Sequence, residues 1–504
     1  MWESEGLQDA VGVVDMKRSL YEYWLGLLAL LALLAVLGTA LNSTLPLVVA
    51  AVVMLAALIT WQPLLGLCMV AFYLPQENLA MLFPSFTLIK LIGGLTFWGW
   101  FTHLLTGKKV FKMNRMFVPL VLYLIWCLLS IVWAIQPGQS WPRVISLGQM
   151  LLMFIAGYNL VDSKKELHLL LGSYVLGAVW AAGLGIYNGY LHAFMVRIDS
   201  GGLQDPNFYA RIIGLGVLFG AYLAFSFINA AIRRLSLICC VIIVVAVLLS
   251  GSRGTWLALL AALSAGIAFA GPRIARRPAL KRRLLISLLV VMVSVALFGP
   301  RIVDHLPYVV VQRAETLTHI TDQTNRAAGR FDIWLVGLEI AKDNLAKGVG
   351  INNFPCAFTE YFPAAGGIVR PVGLNRDPHN VYLANLTELG VPGLLLFMLL
   401  LWELWRSGDR TENRVDAVLC KLLVIFLATA GLTGTDHFRK FFWFGLLIPC
   451  ILAQFGVLKG LSGDRDKKKF CFWRPPFPTG TTKTMEFLLS AWFKTSKRWE
   501  WTYM

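Results

Sequence analysis

The chain has 504 residues, of which 57% are hydrophobic and only 14% are charged, and its mean hydropathy is +0.66. Soluble domains carry roughly 25% charged residues, so a soluble protein is excluded, as are a disordered chain, which needs low hydrophobicity, and a disulfide scaffold, given 8 cysteines in this length. The formal charge of +17 reads first as Lys and Arg gathered on one membrane face and not as a nucleic-acid surface.

The expected fold is an all-α polytopic membrane protein. A spanning helix needs about 20 mostly apolar residues. In chain order such stretches are Trp24–Leu41, Leu45–Ile59, Pro63–Tyr73, Phe86–Leu105, Met116–Trp133, Val144–Val161, Leu167–Tyr187, Ile212–Ile228, Leu235–Leu249, Thr255–Ala270 and Leu284–Phe298. Val381–Leu401, Ala417–Leu432 and Phe441–Leu458 follow. The length rule gives about 12 to 14 transmembrane helices. Pro63–Tyr73 is short, and a broken or re-entrant segment buried against neighbours is its other reading.

Alternate loops set the orientation. Lys17 and Arg18, Lys108 to Arg115, Lys164 and Lys165, Arg233 and Arg234, Arg273 to Arg283, Arg406 to Arg414 and Lys467 to Lys469 share one side, which is therefore expected to be cytoplasmic. Both termini fall on that side, and no cleavable signal peptide is expected. The chain divides into N-terminal transmembrane helices (1–298), an outer loop (299–377), C-terminal transmembrane helices (378–459) and a basic, aromatic tail (460–504). A loop as long as 299–377 is functional or disordered. Its stretch Phe331–Leu345 has helical periodicity, closed by a turn at Gly348-Val-Gly350. In the tail, Met485–Trp501 reads either as a helix on the inner membrane face or as a solvated segment.

Side chains with chemistry gather at the outer boundary. Asp205-Pro-Asn207 precedes a span that opens with Arg211, and Ser252-Arg-Gly254 joins two spans. Arg330 opens the helix of the long loop, Asp377-Pro-His-Asn380 opens the next span, and Glu388 lies two turns deeper. Each has a structural reading: Arg211 and Arg253 snorkel to the interface, Asp205-Pro-Asn207 caps a helix, His379 is an interface residue, and Glu388 is paired or solvated. The functional reading is anion binding beside a base. A guanidinium fork matches phosphate, and a neutral His379 accepts a proton near neutral pH. The histidines and cysteines show no metal-ligand spacing and there is no Walker A sequence, so no metal and no cofactor is expected.

These residues resemble the O-antigen ligase and O-antigen polymerase family. The resemblance rests on Asp205-Pro-Asn-Phe-Tyr-Ala210, Ser252-Arg-Gly-Thr-Trp256, Gly329-Arg-Phe-Asp-Ile-Trp334, Gly348-Val-Gly-Ile-Asn-Asn-Phe354, Asp377-Pro-His-Asn-Val-Tyr382 and Glu388-Leu-Gly-Val-Pro-Gly393. It implies a GT-C-like, metal-independent, inverting glycosyltransferase in the bacterial inner membrane, with its site facing the periplasm. The implied donor is a glycan on undecaprenyl pyrophosphate and the implied acceptor the lipid A–core sugar of lipopolysaccharide. The family's essential loop arginine and histidine match Arg330 and His379, and its arginine between two spans matches Arg253, which puts His379 in the catalytic place and the arginines on the pyrophosphate. The anion-binding reading of the residues adds Arg211 to the pyrophosphate, with Asn207, Asp377, Asn380 and Glu388 in support. A polymerase joining lipid-linked repeats and a protein O-glycosylation ligase share this chemistry. A transporter of lipid-linked glycan is the alternative from another class; transporters place polar groups at the midplane, and here they lie at the boundary.

Overall fold

A computed structural model describes residues 45–77, 81–83, 86–200, 205–275, 308, 311, 326–363, 374–460 and 471–473. The helices among them are α1 (Leu45–Trp61), α2 (Pro63–Tyr73), α3 (Leu88–Leu105), α4 (Phe117–Leu129), α5 (Pro137–Leu160), α6 (Lys164–Leu191), α7 (Pro206–Ser226), α8 (Ala230–Leu249) and α9 (Arg253–Ala275). They continue with α10 (Arg326–Asp343), α11 (Phe354–Tyr361), α12 (Val381–Ser407), α13 (Arg414–Gly431) and α14 (Lys440–Gly460). In hydrocarbon every backbone amide must find its partner within the segment, which makes the helix the natural form of these apolar runs. The fold is all-α and polytopic: 7 of the described helices are long and apolar enough to cross a membrane, α4 and α9 are shorter apolar helices, and α1 with α2 forms a pair bent by 116°. That bend matches the broken segment expected near Pro63. Every expected span within the described residues is a helix; Trp24–Leu41, Leu284–Phe298 and Met485–Trp501 lie outside them.

Local chemistry sets the helix starts. Ser163 and Glu166 form a reciprocal capping box on α6. Asp205, with Pro206 behind it, caps α7, and Asn229, Asn380 and Asn413 cap α8, α12 and α13. The bundle centre is α7, 89% of whose apolar window is inside the protein, with α14 at 83%; α8, at 33%, is peripheral. Tyr174, Phe219 and Phe444 bind α6, α7 and α14 into one aromatic cluster, and the Tyr174 hydroxyl donates to the Ile212 carbonyl at 2.7 Å. Among membrane helices, where apolar burial gives little preference for protein over lipid, close packing of small residues takes over. Gly177 shows this: a Cβ there would sit 2.0 Å from the Phe72 carbonyl oxygen of α2.

The end of the bundle away from the candidate site is basic and ion-paired. Lys109 and Lys112 pair with Asp162, and Lys164 with Asp416, which also accepts from the Tyr222 hydroxyl at 2.8 Å. The strand Cys471–Trp473 pairs there with Phe111–Lys112.

At the opposite end α12 is broken. Gly390 has φ +67° and ψ −170°, followed by Pro392, so the expected span Val381–Leu401 is two helices end to end. The break frees carbonyls, and the segment after α10 fills it. Val349 and Gly350 donate to the carbonyls of Thr387 and Glu388, each at 2.9 Å, and Val391 donates to Leu345 at 2.7 Å. Gly348 is needed where the backbones meet: its φ is +73°, and a Cβ would lie 2.3 Å from the Glu388 carbonyl. The Gly348-Val-Gly350 and Glu388-Leu-Gly390 motifs are thus two halves of one junction. Trp133 Nε1 donates to the Lys347 carbonyl and Ser140 Oγ to that of Ile351, so the loop is also docked on the α4–α5 region. Ile333, Val336, Ile340, Phe354 and Phe358 give α10 and α11 a small apolar core.

Candidate functional site

Four element ends converge at this side of the bundle: the starts of α7, α9 and α12, and the short turn from Thr433 to Asp436 between α13 and α14. The turn is the hub. Arg211, in the second turn of α7, is buried, and its Nε lies 2.7 Å from Asp436 Oδ2. Its guanidinium lies flat against Gly434, where a Cβ would be 2.7 Å from Cζ. The Arg211 Nη1 atom is buried and has no hydrogen-bond partner among the described residues. Thr435 Oγ1 donates to the Asp377 carboxylate at 2.8 Å, fixing the approach to α12. Thr433 packs against Gly254, where a Cβ would be 2.0 Å from its Oγ1. Arg253, which opens α9, therefore stands beside the same turn.

His379 completes the group. It precedes the Asn380 cap with φ +47°, a left-handed conformation that few non-glycine residues adopt and that costs of order 1–3 kcal/mol unless the surroundings impose it. Here they do. Trp334 Nε1 on α10 holds the Pro378 carbonyl at 3.0 Å, and Asn380 Oδ1 accepts from the amides of Tyr382 and Leu383. The residue remains solvent-exposed. Desolvation by the surrounding protein lowers its pKa below that of an ordinary histidine; Asp377 and Asp205 oppose the shift, and Arg330 and Arg211 reinforce it. The imidazole is consequently neutral near pH 7, with a nitrogen able to accept a proton. Arg330 follows Gly329, whose φ of +81° turns the chain at the start of α10. The neighbouring His437 is unsuited to the same task, since it is buried and both its ring nitrogens are closed off from solvent.

The remaining supporting residues have identifiable duties. Arg197 donates to Asn207 Oδ1 at 2.7 Å and to the Ser250 carbonyl at 2.8 Å, tying the start of α7 to the end of α8. Asn380 is spent on its cap, so among the residues flanking His379 it is Asp377 that acts on the ring electrostatically. Glu388 does not face this group: its carboxylate accepts from the amides of Asn352 at 2.8 Å and Phe354 at 3.3 Å, at the start of α11. It clamps the loop, which makes it a support of the architecture.

Asp436, Thr435 and Arg439 were not singled out in the sequence reading, although a signal existed. Two spans, Ala417–Leu432 and Phe441–Leu458, leave between them a short turn bearing Asp436, Arg439 and Lys440, on the side where the expected topology leaves short loops with little charge. Arg439 Cζ lies 4.6 Å from the centre of the Phe208 ring, and Arg143 Cζ 4.4 Å from that of Phe438. Both guanidiniums flank the hub.

Residues 238–398 match the family model Wzy_C, described as O-antigen ligase. No curated protein matches the chain. The match supports the O-antigen ligase family resemblance drawn from the motifs. It contains Arg253, Arg330, Asp377, His379, Asn380 and Glu388 but neither Arg211, which the sequence pattern already places in the group, nor Asp436, which geometry alone joins to it.

Proposed function

We propose that this multi-pass membrane protein of O-antigen ligase type transfers a glycan from undecaprenyl pyrophosphate to a sugar hydroxyl of lipid A–core, at the periplasmic face of the bacterial inner membrane. The observation that carries the reading is the buried Arg211 guanidinium, held by Asp436 with Nη1 open, within electrostatic reach of a neutral His379. A buried cation with donor capacity to spare is suited to an anion, and pyrophosphate matches the guanidinium fork.

In this account the acceptor hydroxyl attacks the anomeric carbon of the donor sugar. A glycosidic C–O bond forms as the bond from that carbon to the pyrophosphate oxygen breaks. The hydroxyl proton passes to a nitrogen of His379, and Arg211, Arg253 and Arg330 stabilise the charge on the departing pyrophosphate. A single displacement inverts the anomeric centre. With arginines supplying the cationic charge, the reaction is proposed to run without a metal.

Purified protein, a lipid-linked donor and defined acceptors test this, with and without EDTA. Glycosylated lipid A–core formed equally in EDTA supports the ligase. Product on a second lipid-linked repeat alone assigns a polymerase, and product on a protein acceptor alone assigns a protein ligase. No product with any acceptor, from folded protein, contradicts the proposal.

A further inference from the structure

Beside the hub the bundle contains a cavity of about 630 Å³, bounded by α2, α3, α5 and the start of α14. Its interior is mostly apolar, with Leu67, Phe97, Met153 and Trp443 on its walls beside Ser146 and Gln149 of α5. Charge is confined to the site end: Lys90 in the first turn of α3, Arg439 and Lys440 at the start of α14, and Glu77, which pairs with Lys440. Among the described residues that line the cavity, three are cationic and one is a carboxylate. The cavity adjoins the hub across a single turn of chain: Phe438 and Arg439 line it, and the Arg439 amide donates to the Asp436 carbonyl at 2.8 Å. The Arg439 guanidinium over Phe208 spans the gap to the start of α7.

A space that is mostly apolar and carries its cations at the end beside a candidate phosphate site fits one kind of ligand, a hydrocarbon chain ending in a phosphate group. We propose that this cavity seats the first part of the donor's lipid carrier, with Arg439 at the junction of chain and pyrophosphate. The inference rests on the proposed function and extends it by giving the carrier chain a place and Arg439 a duty. The volume lies within the roughly 300–1,000 Å³ of small-molecule sites, so the cavity takes a portion of a long chain and leaves the rest to the bilayer. Its contribution is alignment more than affinity, because lipid tails offer the chain surroundings as apolar as the protein does. A seated chain holds the pyrophosphate against Arg211 and the anomeric carbon towards His379, where misplacement by about 1 Å can cost on the order of 100-fold in rate.

Two experiments test the seat. The first does not depend on turnover: wild-type protein in vesicles is photolabelled with a polyprenyl pyrophosphate carrying a benzophenone near the phosphate, and the adducts are mapped. Adducts on α3, α5 and α14, suppressed by unlabelled polyprenyl pyrophosphate and not by excess phosphatidylglycerol, are expected. Adducts spread over peripheral helices such as α8, or suppression by phosphatidylglycerol as well, would overturn the proposal, the latter assigning the cavity to a bilayer phospholipid. The second uses Gly94→Phe. Gly94 lines the cavity and is exposed, and a Cβ there meets nothing within 4 Å, so a ring is accommodated at the cavity wall without displacing backbone. It should lower kcat/KM for a long-chain donor by roughly ten- to a hundredfold and leave a donor with a one- or two-isoprene carrier unchanged. Gly183→Phe on α6, equally open and away from the cavity, is the control for folding and should alter neither donor. Equal losses for long and short donors in Gly94→Phe would refute the seat. Absence of transfer in the wild type would count against the proposed function alone, because the photolabelling still reports on the cavity.

Discussion

Removing Asp436 should disable the site by way of Arg211. The two charges lie 2.7 Å apart at Nε–Oδ2, and Asp436 is 4% and Arg211 6% exposed, so water screens the pair little. Truncating one partner of a buried pair leaves an uncompensated charge and costs about 3–5 kcal/mol, which corresponds to roughly a hundredfold or more in the population that keeps the local structure. Asp436→Ala should therefore lower the thermal midpoint in detergent and abolish transfer. Exchanging both charges for apolar side chains of similar size removes the penalty, because such exchanges are commonly neutral or stabilising. In Arg211→Met with Asp436→Leu the midpoint should return close to wild type while transfer stays absent. The coupling from the full double-mutant cycle, read by unfolding and by transfer separately, distinguishes the two roles of Arg211. A double variant that recovers transfer along with stability would show that Arg211 is only an architectural cation and would refute the phosphate assignment.

Arg253→Lys and Arg330→Lys keep the charge and lose the bidentate fork; each should forfeit roughly 2–5 kcal/mol of transition-state stabilisation, seen as loss of transfer at unchanged expression, and full activity in both would count against the clamp. Glu388→Ala orphans the amides of Asn352 and Phe354 and should destabilise the fold by about 1–3 kcal/mol per lost partner, read as a lower midpoint; an unchanged midpoint would contradict the clamp on the loop. Gly390→Ala forces a Cβ to within 2.7 Å of the Leu345 carbonyl oxygen at φ +67° and should reduce the yield of folded protein, with wild-type yield contradicting the junction. A cysteine at exposed Met195, at the site end, should react with an impermeant thiol reagent in intact spheroplasts, and one at exposed Lys108 only after permeabilisation; the reverse pattern would invert the orientation and exclude a periplasmic site.

The sequence carried the helical architecture because spans announce themselves in one dimension, and the capping chemistry of Asp205-Pro206 and Asn380 was equally local. Contacts made across the chain were not legible. Glu388 read correctly as a polar group needing partners inside an apolar span, but those partners are amides 36 and 34 residues earlier. The same holds for Gly390, which sat in an apparently continuous apolar run; Pro392 was the local hint of a break, and only the docked segment from Leu345 to Gly350 explains why it is tolerated. Asp436 escaped attention because a short turn between spans gives no periodic signal, whereas its importance lies in reaching Arg211, 225 positions away by sequence number.

The central claim, that neutral His379 takes the acceptor proton, is tested most directly by the pH dependence of transfer for the wild type and His379→Gln. A base works only while unprotonated, so the wild-type rate should be level near neutrality and fall as pH drops through the pKa of the ring. Desolvation, with Arg330 and Arg211, sets that pKa below its ordinary position of about 6.5. His379→Gln preserves a polar side chain of similar reach but cannot accept the proton, so it should lose roughly 10²- to 10⁴-fold in rate and with it the acid limb. A glutamine variant that retains near-wild-type transfer would contradict the claim and reduce His379 to a hydrogen-bonding contact.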